Sequence, residues 1–331
     1  MRRWTKAEAV KTASPSPHSL VTPVLVKPAR ARRILAVGGG KGGIGKSLVS
    51  ANLGVALAKA GHRVLLVDAD LGGANLHTCL GLAQPSPTLS DFTTRRVRLE
   101  ELVVPTGVEN LSLISGALDT LDAANPKPQN KAKLLSSLQA LDVDYLLLDL
   151  GAGTATHVLD FFLIAQHGLL VLLPEPTSVE NAYRFVKAAL LRKLQTLADD
   201  YGISQLVDGA FNSRDGMVRS PFDLIEIVRK RDMAAANRLE MELKSFRVKL
   251  VVNQARTVAD QTVGPAVVSA WRRFFGLEMD YLGAIPYDDE AWQSVRKRRP
   301  VLLERPEAQS SVQLEKIAQA ILNLDHVPPA Q

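Results

Sequence analysis

Six short apolar runs recur along the chain: RILAVGG (33–39), RVLLVDAD (63–70), DYLLLDLG (144–151), GLLVLLPEP (168–176), FRVKLVVNQ (246–254) and YLGAIPYD (281–288). They are continuous rather than alternating, the pattern of parallel strands covered by helices on both faces. Between the first two, SLVSANLGVALAKAG (47–61) places Leu48, Ala51, Leu53, Val55 and Leu57 within a helix that closes at Gly61. A further helix is expected over 131–141. Strand, helix and strand in this order begin an open α/β sheet, so the expected fold is a three-layer α/β domain with a mostly parallel central sheet flanked by helices. No internal repeat breaks residues 33–331 into smaller units.

Three regions depart from this rhythm. Residues 221–245 read as helical, with Leu224, Ile227, Val228, Met233, Leu239 and Leu243 as apolar contacts, inside a 208–245 stretch that looks inserted or extended. The cluster Arg229, Lys230, Arg231 reads most simply as a solvated face, and KRRPVLLER (297–305) likewise. Residues 311–324 carry an apolar stripe of Leu314, Ile317, Ile321 and Leu322 with Lys316 as the one basic residue, which favours core packing over a membrane anchor. Residues 1–32 have no sustained period and hold Pro15, Pro17, Pro23 and Pro28, so a disordered leader is expected.

Charge sharpens that division. Residues 1–33 carry eight basic side chains and one acidic one, whereas the rest of the chain nets −1. This balance disfavours a polycation that coats DNA over its whole surface, and any pull toward DNA or anionic lipid belongs to the leader or to local patches. The most apolar stretch, 161–174, is interrupted by Gln166 and His167 and stopped by Pro174, shorter than the ~20 residues a spanning helix needs. Cys79 is the single cysteine, which excludes an intramolecular disulfide and all-cysteine metal sites and leaves a reducing cytoplasm as the default expectation, with a peripheral place at a membrane or pole left open.

The segment carrying chemistry is GGGKGGIGKS (38–47), which contains G-x-x-x-x-G-K-S from Gly40 to Ser47 between an apolar strand and a helix. Glycines at this spacing let successive amides point at an anion, and the helix N-terminus adds to the field. Gly40, Lys41, Gly42, Gly43, Ile44, Gly45, Lys46, Ser47 and Leu48 are thus the expected nucleotide-phosphate cradle. Lys46 reaches the β- and γ-phosphates and the Ser47 hydroxyl meets Mg²⁺. Lys41 is a second cation that a phosphate loop does not require. It serves the same nucleotide, reaches a neighbouring subunit's nucleotide, or is simply solvated.

Phosphoryl transfer also needs carboxylates. Asp68 and Asp70 end the second strand and Asp149 ends the 144–150 strand, where open α/β sheets place ligands. Asp68 and Asp149 are expected to organise hydrated Mg²⁺, and Asp70 to orient the attacking water or accept its proton. Asn253 is a candidate reader of the adenine edge, and Pro286 and Asp288 are candidates from the loop after the next strand. Turn formation is the competing role for Asn253 and Asp288.

These motifs resemble the MinD/ParA group of P-loop ATPases, whose deviant Walker A motif carries the extra lysine, here KGGIGKS (41–47). The likeness continues through LLVDADLGGANLHTCLG (65–81), LLLDLGAG (146–153), LLPEPTSVENAYRFVKA (172–188), VVNQAR (251–256) and LGAIPYDD (282–289). The DADLG and PEPTS elements are most similar to its flagellar-number-regulating branch, FlhG or FleN. The resemblance implies ATP/ADP and Mg²⁺ as ligands and an ATP-dependent homodimer. Within that dimer Lys41 would reach across to the partner's nucleotide, Asp70 would serve the water, and residues 151–153 would move with nucleotide state. It also implies a protein partner, with an anionic membrane or non-specific DNA as further surfaces. A DNA-partition ATPase and a non-enzymatic nucleotide-dependent scaffold are the competing functions. Iron–sulfur carriers are disfavoured by the lone Cys79.

Overall fold

All six apolar runs become neighbouring strands of one sheet. A computed structural model describes residues 33–70, 73–93, 96–116, 128–211, 218 and 220–324. The leader 1–32, part of the 208–245 stretch and the tail after 324 lie outside the described residues. The strands are β1 (Arg33–Gly38), β2 (Val64–Ala69), β3 (Val104–Pro105), β4 (Leu111–Ile114), β5 (Tyr145–Leu150), β6 (His167–Leu172), β7 (Val248–Ala255) and β8 (Met279–Pro286). Their order is β3-β4-β2-β5-β1-β6-β7-β8. Every neighbouring pair is parallel except β3 with β4.

The helices are α1 (Lys46–Lys59), α2 (Leu76–Cys79), α3 (Leu89–Thr93), α4 (Pro128–Gln139), α5 (Thr156–Leu163), α6 (Pro176–Asp200) and α7 (Ser204–Phe211). They continue as α8 (Pro221–Arg229), α9 (Met233–Lys244), α10 (Val258–Phe275), α11 (Asp289–Arg296), α12 (Val301–Glu304) and α13 (Gln309–Leu324). Alternate strand residues face opposite layers. Ile34, Leu146, Leu148, Leu170 and Leu250 join the core beneath α4–α6 and α8–α10. Leu35, Leu147, Leu169 and Val251 join the core beneath α1, α12 and α13. The sheet is thus sandwiched between two helical layers, as the unbroken apolar runs require. Among the described residues no helix is long and apolar enough to cross a membrane.

Two strands, β3 and β4, have no counterpart among the apolar runs. They are two and four residues long, and Ser112 interrupts LSLI. The helix expected over 221–245 is two helices. Ser220 opens α8 with a reciprocal capping pair to Asp223, and Asp232 opens α9 by accepting from the Ala235 N–H at 2.9 Å. Lys230 and Arg231 form the link, and the two helices pack side by side. Leu224, Val228, Leu239 and Leu243 are buried as expected, whereas Met233 is 59% exposed. Arg229 is not part of a free basic face. It bridges the pair, donating to Glu226, to Asn237 and to Glu240 at 2.6 Å.

The C-terminal helix packs inward. Leu314, Ile317 and Ile321 of α13 are buried against β8 and α1. The sheet ends on β3 at one margin and β8 at the other. In β8 the register slips between Tyr281 and Gly283, and Gly283 adopts φ 135° with the Gln313 side chain packed where a Cβ would point.

Candidate nucleotide site

The Gly-rich turn leaves the C-terminal end of β1, a central strand flanked by β5 and β6. Its shape follows from backbone that only glycine accepts easily. Gly43 and Gly45 have φ +76° and +90°, and a Cβ on Gly40 would sit 2.0 Å from the Asn181 carbonyl oxygen at the start of α6. Ile44 is buried and anchors the turn. The first turn of α1 carries no acidic side chain, which leaves its positive end suited to an anion.

Lys46 lies within the turn, with Nζ donating to the Lys41 carbonyl oxygen at 3.4 Å. Burial lowers its pKa, and the charges of Asp149 and Asp70 act against that shift. Lys41 is exposed, as are Gly42 and Gly43, so the outer lip of the loop faces away from the core. Leu48 is half-buried on α1.

The carboxylates meet at the strand ends. Asp68 and Asp149 are register partners on adjacent strands β2 and β5, and both are buried. Burial raises the pKa of each, and for Asp68 the charge of Asp149 adds to the effect. Asp149 is stabilised in return by the hydroxyls of Ser47 and Ser50, the latter donating at 2.9 Å, and by the charge of Lys46. Asp68 accepts the Asp70 N–H at 3.2 Å and the Leu76 N–H at 2.9 Å, so it pins the segment that leaves β2. The Asp70 carboxylate lies over Gly151, where a Cβ would come within 3.0 Å of Oδ1.

Ser47 beside Asp149 gives two hard oxygen donors at the mouth of the loop, the donor set Mg²⁺ takes when it keeps most of its waters. Those residues fit the ion. Asp68, the third expected ligand, accepts one N–H at each oxygen, from Asp70 and from Leu76.

The three candidates for the base are placed on different duties. Asn253, 4% exposed, donates Nδ2 to the Ile44 carbonyl oxygen at 2.8 Å and so touches the phosphate loop. Pro286 ends β8. Asp288 caps α11 through the Glu290 N–H and ties α13 through both the N–H and hydroxyl of Ser310. Burial works to raise its pKa, and these bonds outweigh it and hold the carboxyl below its ordinary value.

Sequence reasoning did not find Ser50, Asn52 or Asn181. Ser50 lies one turn after Ser47 on α1, a spacing that could have flagged it. Asn52 accepts the Leu302 N–H at 3.0 Å and locks α1 to α12. The Asn181 contact is through backbone, which leaves no sequence signal.

Comparison with known proteins gives the family and the fold. The ParA family model, described as NUBPL iron-transfer P-loop NTPase, matches residues 30–198. The antiactivator FleN of Pseudomonas aeruginosa is 31% identical over 87% of this chain and 86% of its own. The solved structure of the cell division ATPase MinD of Pyrococcus furiosus aligns with a TM-score of 0.62 at 23% identity, covering 88% of this chain and 99% of that one. The septum site-determining protein MinD of Pyrococcus horikoshii, solved with Mg-ADP, aligns at 0.61 and 22% identity, covering 88% and 97%. These likenesses to solved structures carry the fold, and the longer sequence matches carry descent. The chain belongs to the ParA/MinD family of P-loop ATPases.

Proposed function

We propose that this chain is a nucleotide-switched ATPase whose ATP-bound dimer regulates the localisation or number of a cellular assembly. The observation that carries it is the convergence of the glycine turn, Lys46, Ser47 and Asp149 at the end of β1, with the Asp70 carboxylate over Gly151. The relatives' names, an antiactivator and septum site-determining proteins, support a regulatory output over a metabolic one.

In this reading the amides of residues 40–47 and the Lys46 ammonium hold the phosphates. Ser47 and Asp149 would hold Mg²⁺, and the ion would supply charge neutralisation for the bound phosphates. Asp70 orients the attacking water and takes its proton. The loss of the γ-phosphate is felt at Gly151, because the Asp70 carboxylate rests on it. Pro286 flanks the base. Lys41, exposed on the outer lip, reaches the nucleotide of the opposite subunit. Iron transfer is not part of this reading: a cluster bridging two subunits needs more sulfur than Cys79 supplies, and burial, with the charges of Asp149 and Asp68, pushes that thiol up to about 11.

Sedimentation with Mg-ATP tests the cycle through two substitutions. Lys41→Ala is expected to bind ATP and remain monomeric. Asp70→Ala is expected to bind ATP, lose at least ~100-fold in turnover, and accumulate as a dimer. A normal ATP dimer from Lys41→Ala would refute the cross-subunit role, and unchanged hydrolysis by Asp70→Ala would refute the water-handling one.

A further inference from the structure

The Asn253 side chain and the backbone that aims it have a geometry that adenine recognition does not explain. We propose that Asn253 is a positioning residue for the phosphate loop, fixing the direction of the Gly45 amide, and that a bulge in β7 exists to deliver it there. This deepens the nucleotide-site reading given above and rests on it.

Asn253 is buried, and its Nδ2 donates to the Ile44 carbonyl oxygen at 2.8 Å. The Ile44 carbonyl and the Gly45 N–H belong to one trans peptide plane and point in opposite directions. Holding the carbonyl toward β7 therefore turns the Gly45 N–H toward the opposite side, the concave side of the loop, where an anion is bound by successive amides. The same contact accounts for the glycine. A Cβ on Gly45 would lie 2.2 Å from Asn253 Nδ2, and the residue adopts φ +90°. The donor occupies the space a side chain would need, so loop and strut are mutually exclusive with any other residue at 45.

A second, independent feature lies in the strand. Pairing of β7 with β8 slips between Val252 and Ala255, and Gln254 within that slip adopts φ +58°. A non-glycine residue in the left-handed region is strained, and a bulge re-aims the side chain beside it. Here the side chain beside it is Asn253. Leu250 and Val252 are buried strand positions; the pairing also slips between Leu250 and Val251, but only the slip next to Asn253 carries a left-handed residue in β7, Gln254.

The consequence separates two kinds of recognition. A base-reading asparagine matters to ATP and not to a ligand without a base. A loop-setting asparagine matters equally to both, because both use the amides. The test uses the full chain and measures displacement of a fluorescent ATP analogue by ATP and by inorganic tripolyphosphate. Asn253→Ala is expected to weaken both competitors by about tenfold, with their ratio unchanged, the effect of a lost buried hydrogen bond. Gln254→Val, which keeps Asn253 but cannot hold φ +58° easily, is expected to reproduce that parallel loss, and Gln254→Gly, which holds it without strain, is expected to avoid it. Weakening of ATP alone by Asn253→Ala would overturn the proposal in favour of a base contact. Full affinity in Gln254→Val would overturn the role of the bulge. Failure of the unsubstituted protein to bind ATP would instead refute the nucleotide-site reading itself.

Discussion

Gly40 shows how much of the site depends on a missing methyl group. Its neighbour is the Asn181 carbonyl, which belongs to backbone at the start of α6 and cannot swing aside as a flexible side chain would. Gly40→Ala is therefore expected to displace the loop and weaken ATP by at least ~10-fold in equilibrium titration, with little change in the far-UV spectrum. The motif spacing made residues 40–47 legible in sequence because it encodes backbone geometry directly. The duties of the carboxylates were only half legible. Their positions at strand ends follow from the apolar runs, but the side-by-side register of Asp68 and Asp149 depends on which strands become neighbours. That pairing decides which of the two turns toward Ser47 and which toward the loop after β2. Asn253 was found for the same reason, as a polar residue at a strand end, while its contact with Ile44 is a matter of tertiary placement.

At the scale of elements, helices held together by apolar stripes were legible and those held by charge were not. The stripe on α13 predicted its burial. The break between α8 and α9 instead comes from the Asp232 cap and from Arg229 bridging back to Glu240, and a basic run reads in sequence as solvent-facing whichever way it turns. A second charged junction lies in the same helical layer. Asp160 of α5 receives Lys131 of α4 and, at 2.8 Å, Arg192 of α6. One carboxylate thus fastens three helices, and removing it would leave two cations facing each other. Asp160→Ala is expected to lower stability by roughly 2 kcal/mol in urea unfolding, less than the ~3–5 kcal/mol of a fully enclosed pair. The discount reflects the 31% exposure that Arg192 retains. Nucleotide affinity, measured on the folded fraction, should be unchanged.

For the whole molecule, the uneven charge separates catalysis from attraction. Residues 34–331 net −1 and carry every residue of the nucleotide site, whereas residues 1–33 net +7. Deleting residues 1–32 is expected to leave ATP turnover within about twofold while weakening binding to anionic vesicles or DNA, most visibly at low salt, where unscreened charge reaches farthest. Equal binding before and after the deletion would assign any such attraction to the folded body.

The two margins of the sheet bear on how copies of this chain meet. An open sheet normally invites another strand to its rim, and uncontrolled growth of that kind ends in aggregates. Here one rim closes on a two-residue strand containing Pro105, whose nitrogen has no hydrogen to donate, and the other is kinked at Gly283 beneath the Gln313 side chain. Neither rim offers a straight run of backbone for a newcomer to zip onto. Permanent edge-to-edge stacking is thereby disfavoured, and a dimer of the proposed kind would meet at the face bearing the glycine turn, where contact could be made and dissolved with each ligand exchanged.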